Sequence, residues 1–239
     1  MGKYFGTDGI RGVANTELTA DLAYRTGFAL GCQLYNELQR KPRVLIGRDT
    51  RISGTMLEAA LTAGLCAAGS NVVSLGVLPT PAVARATVVD KAADAGIVIS
   101  ASHNPYEHNG IKIFGCDGYK LTDAQEAAIE AAIDNPPAEQ AKTFGEIGQL
   151  LPCASDPVAD YCAFVASTVP QGLQGVRVLV DCANGSASAT AKAIFAKLGA
   201  QADFLSCEPN GVNINVDCGS THLKALQRSA SPSKATPTP

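Results

Sequence analysis

The sequence predicts an α/β fold: a mixed, mainly parallel sheet covered by helices, then an incomplete second α/β domain and a disordered tail. Three observations carry this. Short β-rich runs at 43–47, 71–75 and 95–99 alternate with stretches of helical period, the order of a helix-covered parallel sheet. The runs are nearly all apolar, as in strands buried on both faces. The same alternation restarts at 176–181, after an irregular stretch rich in Pro and Gly.

Composition bounds the function. A length of 239 residues with 46% hydrophobic residues suffices for one large or two ordinary domains. Trp is absent, so Ala, Val, Leu and Ile must fill the core. A formal net charge of -3 argues against nucleic acid or a membrane surface as partner. No apolar run is long enough to span a bilayer, and the N-terminus lacks a signal-peptide core, so a cytoplasmic protein is expected. The eight cysteines stand singly and form no CxxC pair, which favours reduced thiols packed as small hydrophobes over zinc or disulfides.

The elements follow in order. Residues 6–12 hold Gly6, Gly9 and Gly12 around Arg11 and read as a loop, either ligand-approaching or a plain N-terminal turn. Thr19 is an N-cap for a helix over 20–38. The strand at 43–47 leads into Arg48-Asp49-Thr50-Arg51, at the strand edge where open α/β sheets bind ligands. Those two arginines suit a phosphate, or else the loop is a self-paired surface turn. Ser53 reads as the N-cap of a helix to 68, closed by Gly69, and Pro79-Thr80-Pro81 opens a helix to about 89. The strand at 95–99 runs into Ser100-Ala101-Ser102-His103-Asn104-Pro105. The next strand, 110–114, follows too closely for a crossover and is expected to run antiparallel. Thr122 and Gln125 form a capping-box pattern for a helix to about 133. The first domain is thus 1–135 and the linker 136–155. An incomplete second domain spans 156–228, with a helix from Asp156-Pro157, strands at 176–181 and 202–205, and a helix over 187–198 closed by Gly199. The tail at 229–239 has no apolar residue larger than Ala and should be disordered.

Ser102 draws the chemical reading. A free serine hydroxyl is a weak nucleophile and needs a base or prior modification. No G-x-S-x-G elbow surrounds it, and the adjacent His103 is poorly placed for triad geometry, which argues against a serine hydrolase. A phosphoserine needs cationic partners instead, and Arg11, Arg48, Arg51, Lys112 and His103 all fall in predicted loops or at strand ends. The plain alternative is an Asx/Pro turn.

The motifs around Ser102, Asn109-Gly110-Ile111-Lys112, the opening residues 4–12, Gly47-Arg48-Asp49-Thr50-Arg51, 181–185 and 209–215 together resemble the α-D-phosphohexomutase superfamily. The likeness runs from about Gly2 to about Gln227, and the opening motif is closest to members that act on glucosamine phosphates. It implies interconversion of glucosamine 6-phosphate and glucosamine 1-phosphate through a bisphosphorylated sugar, a step toward UDP-N-acetylglucosamine. It also implies that Ser102 carries the phosphoryl group, that Arg11 and Lys112 stabilise charge or assist proton transfer, and that His103 lines the site. Arg48, Arg51 and Asn104 would face substrate or phosphate. Mg²⁺ would touch a phosphoryl oxygen on Ser102, and the partner would be a small hexosamine phosphate. The family's Asp-rich metal loop, due after the point matching Gln227, is absent from this sequence. A truncated or frameshifted chain, inactive alone, is therefore expected. The alternatives are a phosphomannomutase/phosphoglucomutase-type member or a non-catalytic fragment.

Overall fold

The structure, a computed structural model, describes residues 2–137 and 140–230. It opens on a hairpin, β1 (Phe5–Gly6) and β2 (Gly9–Val13), where the sequence reads as a loop. The glycines serve the tight turn, and β2 is a sheet strand because its partner strand comes a hundred residues later. Then follow α1 (Ala20–Leu38), β3 (Arg43–Arg48), α2 (Ser53–Ala67), β4 (Asn71–Val77), α3 (Thr80–Val89), β5 (Ala95–Ile99), β6 (His108–Gly115) and α4 (Asp123–Asp134). After these come β7 (Leu150–Leu151), α5 (Pro157–Ser167), β8 (Arg177–Asp181), α6 (Ala191–Leu198), β9 (Gln201–Leu205) and α7 (Lys224–Ala230).

One seven-stranded sheet has the order β1-β2-β6-β5-β3-β4-β7. Strands β3, β4, β5 and β7 run parallel, while β6 is antiparallel to both β5 and β2. The short loop before β6 dictates that reversal, as expected. Alternation splits each strand between two cores. Val44, Ile46, Ile97, Ile99, Ile111 and Ile113 join Leu57, Leu61, Leu65 and Ile129 on the side of α1, α2 and α4. Leu45, Val73 and Val98 meet Ala82 and Val83 of α3 on the other, with Val158 and Tyr161 of α5 against them.

Caps follow the sequence in most places. Thr19 Oγ1 accepts from Leu22 N at 3.1 Å, and the Thr122–Gln125 capping box is complete. Asp156 Oδ1 accepts from Val158 N and Ala159 N. Ser53 is a correction: Ile52 holds the cap position, and Ser53 Oγ instead accepts from Asn109 Nδ2 at 2.9 Å. A tertiary partner has taken the hydroxyl.

Two features fix the layer over the sheet. Gly27 and Gly64 let α1 and α2 touch backbone to backbone, and a Cβ at Gly64 would strike Tyr24 O and come 2.8 Å from Phe28 N. Gly64→Ala is expected to lose about 1–2 kcal/mol in urea unfolding, since overpacking outweighs the helix-propensity gain. Glu130 of α4 accepts from the backbone N–H groups of Lys3, Tyr4 and Phe5 at 3.0, 2.6 and 2.7 Å. Burial pushes its carboxyl pKa up, but those three donors outweigh it and hold it below the ordinary value. Its contribution is therefore full above the ordinary carboxylate pKa and is lost as pH falls through the depressed one. The Tm difference between the chain and Glu130→Ala should be largest near neutral pH and shrink on acidification.

The 136–155 linker looks different in three dimensions. Lys142 N and Gly148 N donate to Ala67 O and Cys66 O, and β7 pairs with β4, so this stretch lies along the first sheet. In the second unit, α6 crosses between the parallel strands β8 and β9, both half-exposed. An incomplete α/β unit was the expectation. Ser229 and Ala230 close α7 rather than belonging to a tail, and 231–239 lie outside the described residues. All eight cysteines are free thiols. Among the described residues no helix is long and apolar enough to cross a membrane.

Candidate active site

The chain leaves β5 at the buried Ile99, and Ser100 N still pairs with Gly110 O at 2.9 Å. Two residues on, Ser102 is exposed and its φ is 59°, in the left-handed region. That backbone costs a non-glycine residue about 1 kcal/mol or more, so the surroundings must hold it. Ser102 N donates to Ser100 Oγ at 3.2 Å, and Asn104 N to Ala101 O at 3.2 Å. Ser102 O and Asn104 O both accept from Arg51 Nη2, at 3.2 and 2.7 Å. The same two carbonyls accept from Asn215 Nδ2, at 3.1 and 3.0 Å.

Arg51 is thus not phosphate-facing, which corrects the expectation. Its side chain is 0% exposed and is paired with the Asp49 carboxylate, which also accepts from Arg51 N at 3.0 Å. The self-paired loop is real, but it is buried under the serine loop rather than on the surface. Burial drags the Arg51 pKa below its ordinary value, and Asp49 opposes that. Arg48 is also engaged by a carboxylate: its Nε donates to Glu58 at 2.8 Å, and Glu58 also accepts from Ser74 Oγ. In both cases a nearby carboxylate holds the arginine.

Arg11 and Lys112 are brought together. Arg11 on β2 pairs with Gly110 on β6, two residues before Lys112, so both side chains share one face of the sheet. Gly110 makes room: a Cβ there would lie 2.7 Å from Ser100 O and 3.1 Å from Arg11 Cγ. Both cations bind Asp8, Lys112 Nζ at 2.7 Å. Burial pushes the Asp8 pKa up, but Lys112 and Arg11 outweigh it and hold it below the carboxylate norm. His103 Nδ1 is 3.5 Å from Ser102 Oγ, too long for a strong bond, and no carboxylate orients the ring among the described residues. Asn104 engages Arg51 and Asn215 through its carbonyl. With His103, Pro105, Asn215, Thr221 and His222 it lines a cleft of about 440 Å³.

Sequence reasoning missed Asp8 and Asn215. Asp8 stands in the glycine stretch, and its signal was a carboxylate three residues before Arg11. Asn215 is 113 residues from Ser102, and although it ends the 209–215 motif, nothing in that motif pointed to the serine loop. Among the described residues no group of three or more His, Cys, Asp or Glu side chains could hold a metal ion. The residues present therefore do not fit a complete Mg²⁺ site.

Residues 2–140 match the family model described as phosphoglucomutase/phosphomannomutase, alpha/beta/alpha domain I. The chain is 53% identical over 229 residues to a phosphoglucosamine mutase of Acetivibrio thermocellus, covering 95% of this chain and 51% of that protein. It is 52% identical over 228 residues to one of Shouchella clausii, with 95% and 50% covered. The chain thus spans about half the length of the curated relatives it matches. Among solved structures it resembles a putative phosphomannomutase from Thermus thermophilus, with a TM-score of 0.79 and 26% identity over 97% of this chain and 52% of that one. A phosphoglucomutase/phosphomannomutase family protein from Burkholderia thailandensis gives a TM-score of 0.74 at 29% identity, over 87% and 44%. With more than half its length in that domain model, the chain belongs to the phosphoglucomutase/phosphomannomutase family.

Proposed function

We propose that this chain carries the phosphoserine site of a phosphoglucosamine mutase. Ser102 Oγ bears the phosphoryl group. Its P–Oγ bond breaks as a P–O bond forms to the C1 hydroxyl of glucosamine 6-phosphate; that hydroxyl loses its proton and Ser102 regains one. The P–O bond at C6 of the bisphosphorylated sugar then breaks as a P–Oγ bond re-forms to Ser102, whose hydroxyl gives up its proton while the C6 oxygen gains one, leaving glucosamine 1-phosphate. The reaction is isomerisation by phosphoryl transfer, in which positioning and charge stabilisation dominate.

The observation that supports this best is the exposed Ser102 hydroxyl on a loop held in a left-handed backbone by Arg51 and Asn215. Arg11 and Lys112 are the cations for the transferring group. A seryl phosphate brings roughly two negative charges, and Asp8 occupies both cations without it. Asp8 then yields them to the phosphate. His103 moves a proton at the rim of the cleft. Glucosamine 6-phosphate is favoured over mannose or glucose phosphates by the 53% and 52% identity to phosphoglucosamine mutases. Mg²⁺ would have one ligand from these residues, a phosphoryl oxygen on Ser102.

A second reading is that these residues accept a phosphoryl group without completing turnover. It is favoured by the lack of a carboxylate group for the metal among the described residues. Incubating the purified chain with a hexose 1,6-bisphosphate and Mg²⁺ tests both. Gain of one phosphoryl mass on Ser102 supports the site, and conversion of added glucosamine 6-phosphate separates the first reading from the second.

A further inference from the structure

We infer that Asn215 is a positioning residue for Ser102, through which the second α/β unit sets the direction of the seryl oxygen. This rests on the phosphoserine reading only for its catalytic consequence. Ser102 O and Asn104 O flank His103, and each accepts from two donors: Arg51 Nη2 within the first unit and Asn215 Nδ2 from the second. A carbonyl oxygen has two lone pairs, so each is saturated by the pair of donors. With both carbonyls drawn to common points, the 102–103 and 104–105 peptide planes are fixed. Ser102 is thereby held at its left-handed φ of 59° without a glycine.

The clamp is separable from general docking of the two units. Elsewhere the units are joined by Thr50 Oγ1 to Asn184 O at 2.6 Å and by Ile52 N to Gly211 O at 2.9 Å, and neither bond touches the serine loop. Arg85 also lies over the Phe164 ring, 3.3 Å from its centroid. Asn215 alone bridges from the second unit to the Ser102 backbone among the bonds of the described residues. Its own φ is 60°, a conformation that Asn and Asp adopt more readily than Ala. Asn215→Asp is therefore the cleaner variant: it keeps the shape, removes both N–H donors and sets an anion against two carbonyls.

The test compares hydrogen exchange of the Ser102, His103, Asn104 and Tyr106 amides in the unmodified chain, in Asn215→Asp and in Thr50→Val, alongside the rate of phosphoryl uptake from a hexose 1,6-bisphosphate. Asn215→Asp should speed loop exchange by about tenfold, the scale of a net hydrogen bond, and slow uptake similarly. Thr50→Val should leave both unchanged, and exchange in β3 and β5 should be unchanged in either variant. Equal loosening in both variants would mean docking alone, and no loosening in Asn215→Asp would also overturn the inference. Loosening in a chain whose Ser102 takes up no phosphoryl group would leave the clamp standing and refute the phosphoserine reading instead.

Discussion

Phosphoryl incorporation should vanish completely in Ser102→Ala and in Ser102→Gly, against one group per molecule in the unmodified chain. The two variants answer different objections. Ala keeps a Cβ at a φ of 59° and with it the strain of about 1 kcal/mol that Ser102 already carries. Gly removes that strain and the hydroxyl together. Ser102 is exposed, so neither change opens a cavity, and both proteins should unfold close to the unmodified Tm. Intact mass after exposure to a hexose 1,6-bisphosphate and Mg²⁺ reads the result. Uptake that persists in Ser102→Gly would move the phosphoryl group to another residue and end the assignment.

Arg51→Met should be the most destabilising single change in the loop region, by about 3–5 kcal/mol. The side chain is fully buried, and its loss strands the Asp49 carboxylate, itself 4% exposed, without a countercharge. It also releases one of the two donors on each of Ser102 O and Asn104 O. Adding Asp49→Leu separates these effects. Removing both charges should recover much of the stability, because the uncompensated carboxylate is gone. The loop should stay loose, with fast amide exchange at 102–104, because no donor has been restored. Urea midpoints and exchange rates on the single and double variants measure the two parts. If the double variant also restores loop protection, Arg51 acts only through stability.

The motif around Ser102 was readable because its parts are contiguous: a buried strand, a polar loop and a following strand that carries Lys112 among isoleucines. Arg11 and Lys112 also survive as neighbours, because period-two alternation on paired strands puts them on one face. Arg48 and Arg51 were misread for a common reason. An arginine at a strand end looks like a phosphate ligand, but its direction depends on which carboxylate lies within reach. Glu58 and Asp49 hold these two. Ser53 shows the same limit at a helix end, where Asn109 claimed the hydroxyl that local spacing had assigned to a cap.

The sequence by itself determined the α/β alternation, the antiparallel reversal before β6, most helix caps and the polar loop in which Ser102 follows β5. These rest on interactions between residues a few positions apart, where hydrophobic period, loop length and capping chemistry act locally. Tertiary structure alone decided that residues 9–13 form a strand, that 150–151 extend the first sheet, and that Asp8 holds both cations. It alone brought Asn215 across 113 residues of chain to the Ser102 carbonyl. Such contacts depend on side-chain direction and on which distant backbone groups still need partners after the sheet has formed, and neither is written in any local window of residues.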